Sequence, residues 1–319
     1  MKTLTNRATQ NQLAKLLLCL VCITVAAPQI TGLAIVAALP AEQQSHDAPG
    51  EERDPALQRI LDVAGLYAKH YQELCRELVA EERMVQKEYD KKGVLRNQRS
   101  FVSDYLMVTL PSDPERALEF RDILSIDGHP LRRRRKLVEV LKEKSSNAFK
   151  EAERVASEST KHNLGRQRYS NMVNFGLSFI LPDAQPSIEY EFEQAGGPAA
   201  NSEWVLIRFR EKTDDTKLHA NTPMGRKPIP SQGLIWLSQG EFKVLRIDFQ
   251  FKQEADLYAI AGRYVSEYSP ALDGLLLPSR FEERFFDVKN PERLLFESVA
   301  TYANFRKFSV DVKISPGEP

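Results

Sequence analysis

Three aspartates, Asp104, Asp122 and Asp127, fall on or beside two extended stretches, SFVSDYLMVTL and EFRDILSID, that read as the arms of an antiparallel hairpin. Two carboxylates on facing strands converge, and a pair roughly 5 to 10 Å apart across an open cleft is the apparatus of glycoside hydrolysis. The plainer expectation is electrostatic: Asp104 and Asp122 pair with nearby Arg99 or Arg121, and Asp127 makes a turn with Gly128. Perturbed acids are rare among ordinary surface carboxylates, which favours the plainer expectation and leaves a hydrolase as an alternative. A second candidate set is apolar. Trp236, Phe249, Phe251 and Phe308, with Phe305, sit on strand-like segments and can line a pocket, although aromatics on the inner face of a sheet are commonly filled core.

Other chemistry is poorly represented. The five histidines, His46, His70, His129, His162 and His219, have no partners at metal-ligand spacing. There is no G-x-S-x-G elbow, H-E-x-x-H helix, P-loop or G-x-G-x-x-G fingerprint. No catalytic, cofactor-binding or metal-ligating residue is therefore assigned, no cofactor is expected, and binding is a better expectation than catalysis. Cys19 and Cys22 form a C-x-x-C inside an apolar run, where nothing activates a thiol. Arg132 to Lys136 are five consecutive cations in a 319-residue chain of zero formal charge. At about 100° per residue such a run fans around a helix rather than forming one patch, so it reads as a solvated helix face and no nucleic-acid partner is expected.

These groups must be positioned by a fold, and the chain divides plainly. Lys2, Arg7 and Lys15 precede the apolar runs LLLCLVCITVAA and ITGLAIVAALPA, and no acidic residue occurs before Glu42. Residues 1–41 read as a secretory signal, or as an uncleaved anchor that would be the one membrane contact. Cleavage near Ala41 would remove three cations and leave 41 − 44 = −3. Residues 42–53 are a polar tether, and residues 54–319 read as a single α+β domain in the periplasm or cell envelope.

Within that domain Asp54 and Pro55 start a helix whose apolar positions, Leu57 to Leu78, carry it to residue 80 or beyond, with Cys75 on the packed face. After the hairpin, Leu137 to Ala156 mark a helical face with a weak point at Ser145 to Asn147, and NMVNFGLSFILP reads as a short buried helix ended by Pro182, with a strand as the alternative for so short a run. The rest alternates cleanly. SIEYEFE, EWVLIRFRE, KVLRIDFQFK and the terminal Phe308 to Ile314 stretch predict a curved antiparallel meander, half-barrel-like, wet on one face, with the helices packed on its inner face.

Several stretches carry a resemblance. YAKHYQELCRELVAEERMVQ, RSFVSDYLMV, FRDILSIDG, SESTKHNLG, LPSRFEER and ATYANFRKF, in that order, resemble a family of uncharacterised secreted bacterial proteins, which lends no site residues. GLIWLSQGEFKVLRIDFQF and YANFRKFSV are similar to the strands of the outer-membrane lipoprotein carrier and sorting superfamily. That second resemblance implies a half-barrel around an apolar cavity and a lipid, acyl chain or lipoprotein as partner. The long helical segment from 131 to 181 departs from it. The resulting expectation is a cell-envelope binding protein for an apolar ligand, with a solid-core protein that recognises an envelope partner through its rim as the alternative.

Overall fold

The computed structural model describes residues 53–75, 78–110, 113–131, 136–141, 146–164, 173–193, 203–212, 216–222, 225–253 and 260–307. The N-terminal apolar segment with Cys19 and Cys22, nearly all of the tether, Arg132 to Arg135 and Phe308 onward lie outside those residues. No helix among the described residues is long and apolar enough to cross a membrane.

Helix α1, Pro55–Leu74, begins as its sequence predicts: the Asp54 carboxylate accepts from the Ala56 N–H at 2.8 Å, and Pro55 occupies the first helical position. Leu57, Leu61, Ala64, Ala68 and Tyr71 recur at three- and four-residue spacing and are buried. The helix ends well before residue 80, with Cys75 as its C-cap, and Leu78–Tyr89 is strand β1. The expected longer helix fails for a definite reason. In LVAEERMVQKEY the residues that point inward are Leu78, Ala80, Glu82, Met84 and Gln86, so two inward places hold a Glu and a Gln and the period-two signal is disguised. Cys75 is a packed core thiol, 2% exposed, and burial pushes its pKa up to about 12.

The hairpin is present as β2, Leu95–Leu110, and β3, Asp113–Ile126, with β4, His129–Pro130, folded back on β3. Helices α2, Leu137–Leu141, and α3, Ser146–Thr160, follow, with Ser146 and Asn147 of the expected weak point inside α3 and Ser145 outside the described residues. The stretch expected as a buried helix, residues 171–182, holds in its described part only a short 3-10 turn, Phe175–Phe179, and a second, Gln185–Ser187, follows it. Then come β5 Ile188–Phe192, β6 Trp204–Glu211, β7 Leu218–Thr222, β8 Gly225–Ile229, β9 Ser231–Ser238, β10 Val244–Gln253, β11 Ile260–Pro270, β12 Leu276–Asp287 and β13 Asn290–Lys307.

All but β7 and β8 join one open, curved, antiparallel sheet, ordered β4-β3-β2-β1-β13-β12-β11-β10-β9-β6-β5, while β7 and β8 make a separate hairpin. The meander expectation holds from β9 to β13. The closing contact is that β13 returns to pair with β1, at the start of the domain.

The two ends of the sheet are clothed differently. From β9 to β12 the apolar residues Ile235, Leu237, Ile247, Phe249, Tyr264 and Phe281 share one core with the buried residues of α1 and with Leu177, Phe179 and Ile180. The opposite face there is a ladder of ion pairs, among them Arg246–Glu267, Arg263–Asp248, Arg280–Glu282 and Arg284–Glu297. Around Val79, Leu106 and Phe120 on β1 to β3 both faces are buried. Val79, Leu106 and Phe120 form a second cluster with Leu137, Leu141 and Val155, so α2 and α3 lie on the face away from α1. The expectation of helices on the inner face is corrected for those two: the Val79–Leu106–Phe120 stripe needed its own cover.

Candidate functional site

The carboxylates sit close together, but not as a cleft. Asp104 and Asp122 are direct cross-strand partners on β2 and β3, so their Cβ atoms lie about 5 Å apart. Both are buried, at 5% and 2% exposure. Asp122 accepts from the Leu137 N–H at 2.8 Å, holding the start of α2 against the sheet. Asp104 has Arg306 from β13 at 3.5 Å. The predicted partners are different: Arg99 donates to the His162 carbonyl, and Arg121 points to the other face because it adjoins Asp122 in a strand. Asp127 is a turn residue at φ 50°, followed by Gly128 at φ 79°, and its carboxylate accepts from the Ser100 N–H at 2.7 Å.

Arg121 belongs to a buried network that the sequence did not disclose. Its guanidinium forks onto Glu82, with Nη2–Oε1 at 2.6 Å and a second, shorter contact from Nε to Oε2. The Tyr302 hydroxyl donates to Glu82 Oε1 at 2.9 Å. Glu82 opposes Ser103 on β2 and Tyr302 on β13, while Arg121 opposes Tyr105. The bridge therefore passes over the small Ser103 and ties four strands in register. Burial alone would lower the Arg121 pKa, but Glu82 holds it above the ordinary guanidinium value.

Beside it, Glu119 accepts from the Val173 and Asn174 N–H groups, each at 3.1 Å, and so anchors the 173–187 segment on β3. The residue as a whole is half-buried, but its carboxylate is enclosed, and burial raises its pKa to about 7 against the lowering effect of bonds from Tyr105, Asn174 and Val173. Gln86 donates to Asn163 at 2.9 Å and accepts from the Leu164 N–H at 2.8 Å. Glu82, Glu119 and Gln86 were legible as polar residues but not as buried ones, because nothing local marks an inward Glu.

The aromatic candidates divide between faces. Phe249 and Phe251 are buried and already in ring contact. Phe249 lies 5.0 Å from Phe179 and 5.3 Å from Tyr264, while Phe251 lies 5.5 Å from Tyr264. Trp236 opposes Arg246 on the outer face, and that guanidinium lies 5.1 Å over its ring. Trp236 thus cannot share a pocket with Phe249, and Phe308 lies outside the described residues.

Among the described residues, open volume spreads over the outer face and at one end reaches the inward Ser231 and Phe251. Two adjoining depressions, of about 500 and 280 Å³, share Arg210, Gln232, Gln250 and Arg263. These four are successive cross-strand partners over β6, β9, β10 and β11, standing side by side across about 14 Å. Arg208 extends the groove at one end, and Lys252, Phe286 and Pro291 extend it at the other. Four cations, Arg208, Arg210, Lys252 and Arg263, face one carboxylate, Asp248. Among the described residues no three His, Cys, Asp or Glu side chains are placed to hold a metal ion.

No family model matches the chain, and no curated protein matches it. Among solved structures the chain is similar to a DUF1329 family protein from Desulfovibrio piger, at 13% identity and a TM-score of 0.32, with 81% of this chain and 94% of that chain covered. That neighbour comes from an uncharacterised bacterial family, the kind of family the quoted stretches resemble. At such a TM-score the likeness carries no argument about the site, and it lends no support to the carrier resemblance.

Proposed function

We infer that the protein is a non-catalytic binding protein of the cell envelope, exported by its N-terminal segment, with a solid core and a recognition surface on the outer face of β6 and β9 to β12. One observation carries the reading: Phe249 and Phe251, the best candidates for lining an apolar cavity, are packed on neighbouring rings, while the open groove spreads over the outward Arg210, Gln232, Gln250 and Arg263 and meets Phe251 at one end. The Asp104–Asp122 pair supports no hydrolase in this reading, since a substrate would have to displace α2 from Asp122 to reach it.

The apolar-carrier alternative makes the opposite demand on the inner face and is tested directly. Protein purified under native conditions should release no stoichiometric lipid on extraction, and a fluorescent fatty acid should show no saturable binding. Saturable fatty-acid binding that Phe249→Leu abolishes would overturn the reading in favour of a carrier.

A further inference from the structure

We propose that the outer-face groove binds an acidic saccharide, with the Arg210 guanidinium receiving a carboxylate of the ligand and the Gln232 and Gln250 amides receiving its hydroxyls. The inference rests on the binding-protein reading above and adds the class of ligand.

Charge is the first argument. On this face Arg208 is paired with Glu191 and Glu193, Arg246 with Asp248 and Glu267, Arg263 with Asp248, and Arg280 and Arg284 with Glu282. Arg210 differs. It opposes Glu189 on β5, yet it makes no ion pair or hydrogen bond among the described residues and lines both depressions instead. A planar fork of donors left open in a groove suits a carboxylate, which it can bind bidentately.

The second argument is the identity of its neighbours. Gln232 and Gln250 are exposed, each presents a donor and an acceptor in one plane, and neither has a hydrogen-bond partner among the described residues. Two such amides side by side match the paired donors and acceptors of adjacent hydroxyls. Phe286, Pro230 and Pro291 add apolar surface at one end for the C–H face of a sugar ring. The groove crosses the strands, so an extended peptide would gain no main-chain pairing there, and it lacks the row of aromatic platforms that a single-stranded nucleic acid stacks on.

The test is calorimetric titration of the purified protein with tetragalacturonate, its methyl-esterified form and inorganic phosphate. Tetragalacturonate should bind, and esterification should weaken binding at least tenfold. Arg210→Gln should cause the same loss and abolish the difference between the two forms. Equal affinity for both forms in the unaltered protein overturns the acidic ligand while leaving groove binding intact. Displacement of the saccharide by millimolar phosphate reassigns Arg210 to a phosphate and overturns the carboxylate. Absence of binding to either saccharide by folded protein overturns the inference. Binding that survives Gln232→Ala with Gln250→Ala places the ligand elsewhere and removes the groove reading itself.

Discussion

Replacing Arg121 by Met isolates the buried network that joins β13, β1, β2 and β3. Glu82 is fully buried, and losing the guanidinium leaves it the Tyr302 hydroxyl as its hydrogen-bond partner among the described residues. An uncompensated buried charge of this kind costs about 3 to 5 kcal/mol. For a domain whose total stability is on the order of 5 to 15 kcal/mol that is a large fraction. With an m-value of about 3 kcal/mol/M, the urea midpoint should fall by about 1 to 1.7 M, read by circular dichroism and fluorescence on the same samples. Adding Glu82→Leu should recover most of the loss, because an apolar pair of similar volume avoids burying charge at all. Two outcomes refute the reasoning: a loss below about 1 kcal/mol in Arg121→Met, or a double variant no more stable than the single one.

Three further expectations follow from the same geometry. The Glu119 pKa is raised from 4.5 to about 7, so the folded state holds the proton more tightly than the unfolded chain does. Its contribution is therefore fully present below about pH 4.5 and lost as pH rises through 7, by up to about 3 kcal/mol, and denaturation midpoints should show that slope vanish in Glu119→Gln. Gly262→Ala places a Cβ at 2.5 Å from the Phe251 ring and should cost about 1 to 3 kcal/mol in thermal or urea unfolding. Asp122→Ala removes the acceptor for the Leu137 N–H and should cost about 1 kcal/mol, with amide exchange at the start of α2 accelerated first.

Much of the fold is legible where one face of a strand is wet and the other packed. Val205, Ile207 and Phe209 alternate with Leu206, Arg208 and Arg210, and the structure buries the first three. Legibility fails where a strand is covered on both sides. β2 loses its alternation from Ser103 to Met107, where α2 and α3 cover one face and the main core the other, while LVAEERMVQKEY reads as a continuation of α1 because Glu82 and Gln86 take inward places. The Asp127–Gly128 turn was readable because its chemistry is local. The Glu82–Arg121 bridge was not, since its partners are 39 residues apart and neither carries a local mark of burial. The groove was hidden for a related reason: Arg210, Gln232, Gln250 and Arg263 become neighbours only through the pairing of β6, β9, β10 and β11. The aromatic set suggested by composition was split by strand parity, with Trp236 outward and Phe249 inward.

The most direct test of whether recognition lies on the outer face is an NMR titration of the isotopically labelled protein with tetragalacturonate, following side-chain signals. The side-chain NH₂ resonances of Gln232 and Gln250 should shift saturably, while the methyl resonances of Ile235, Ile247 and Leu277, buried across the sheet, stay in place. Movement of those methyls with the glutamine amides unchanged would contradict the account and locate the ligand in the core that it describes as filled.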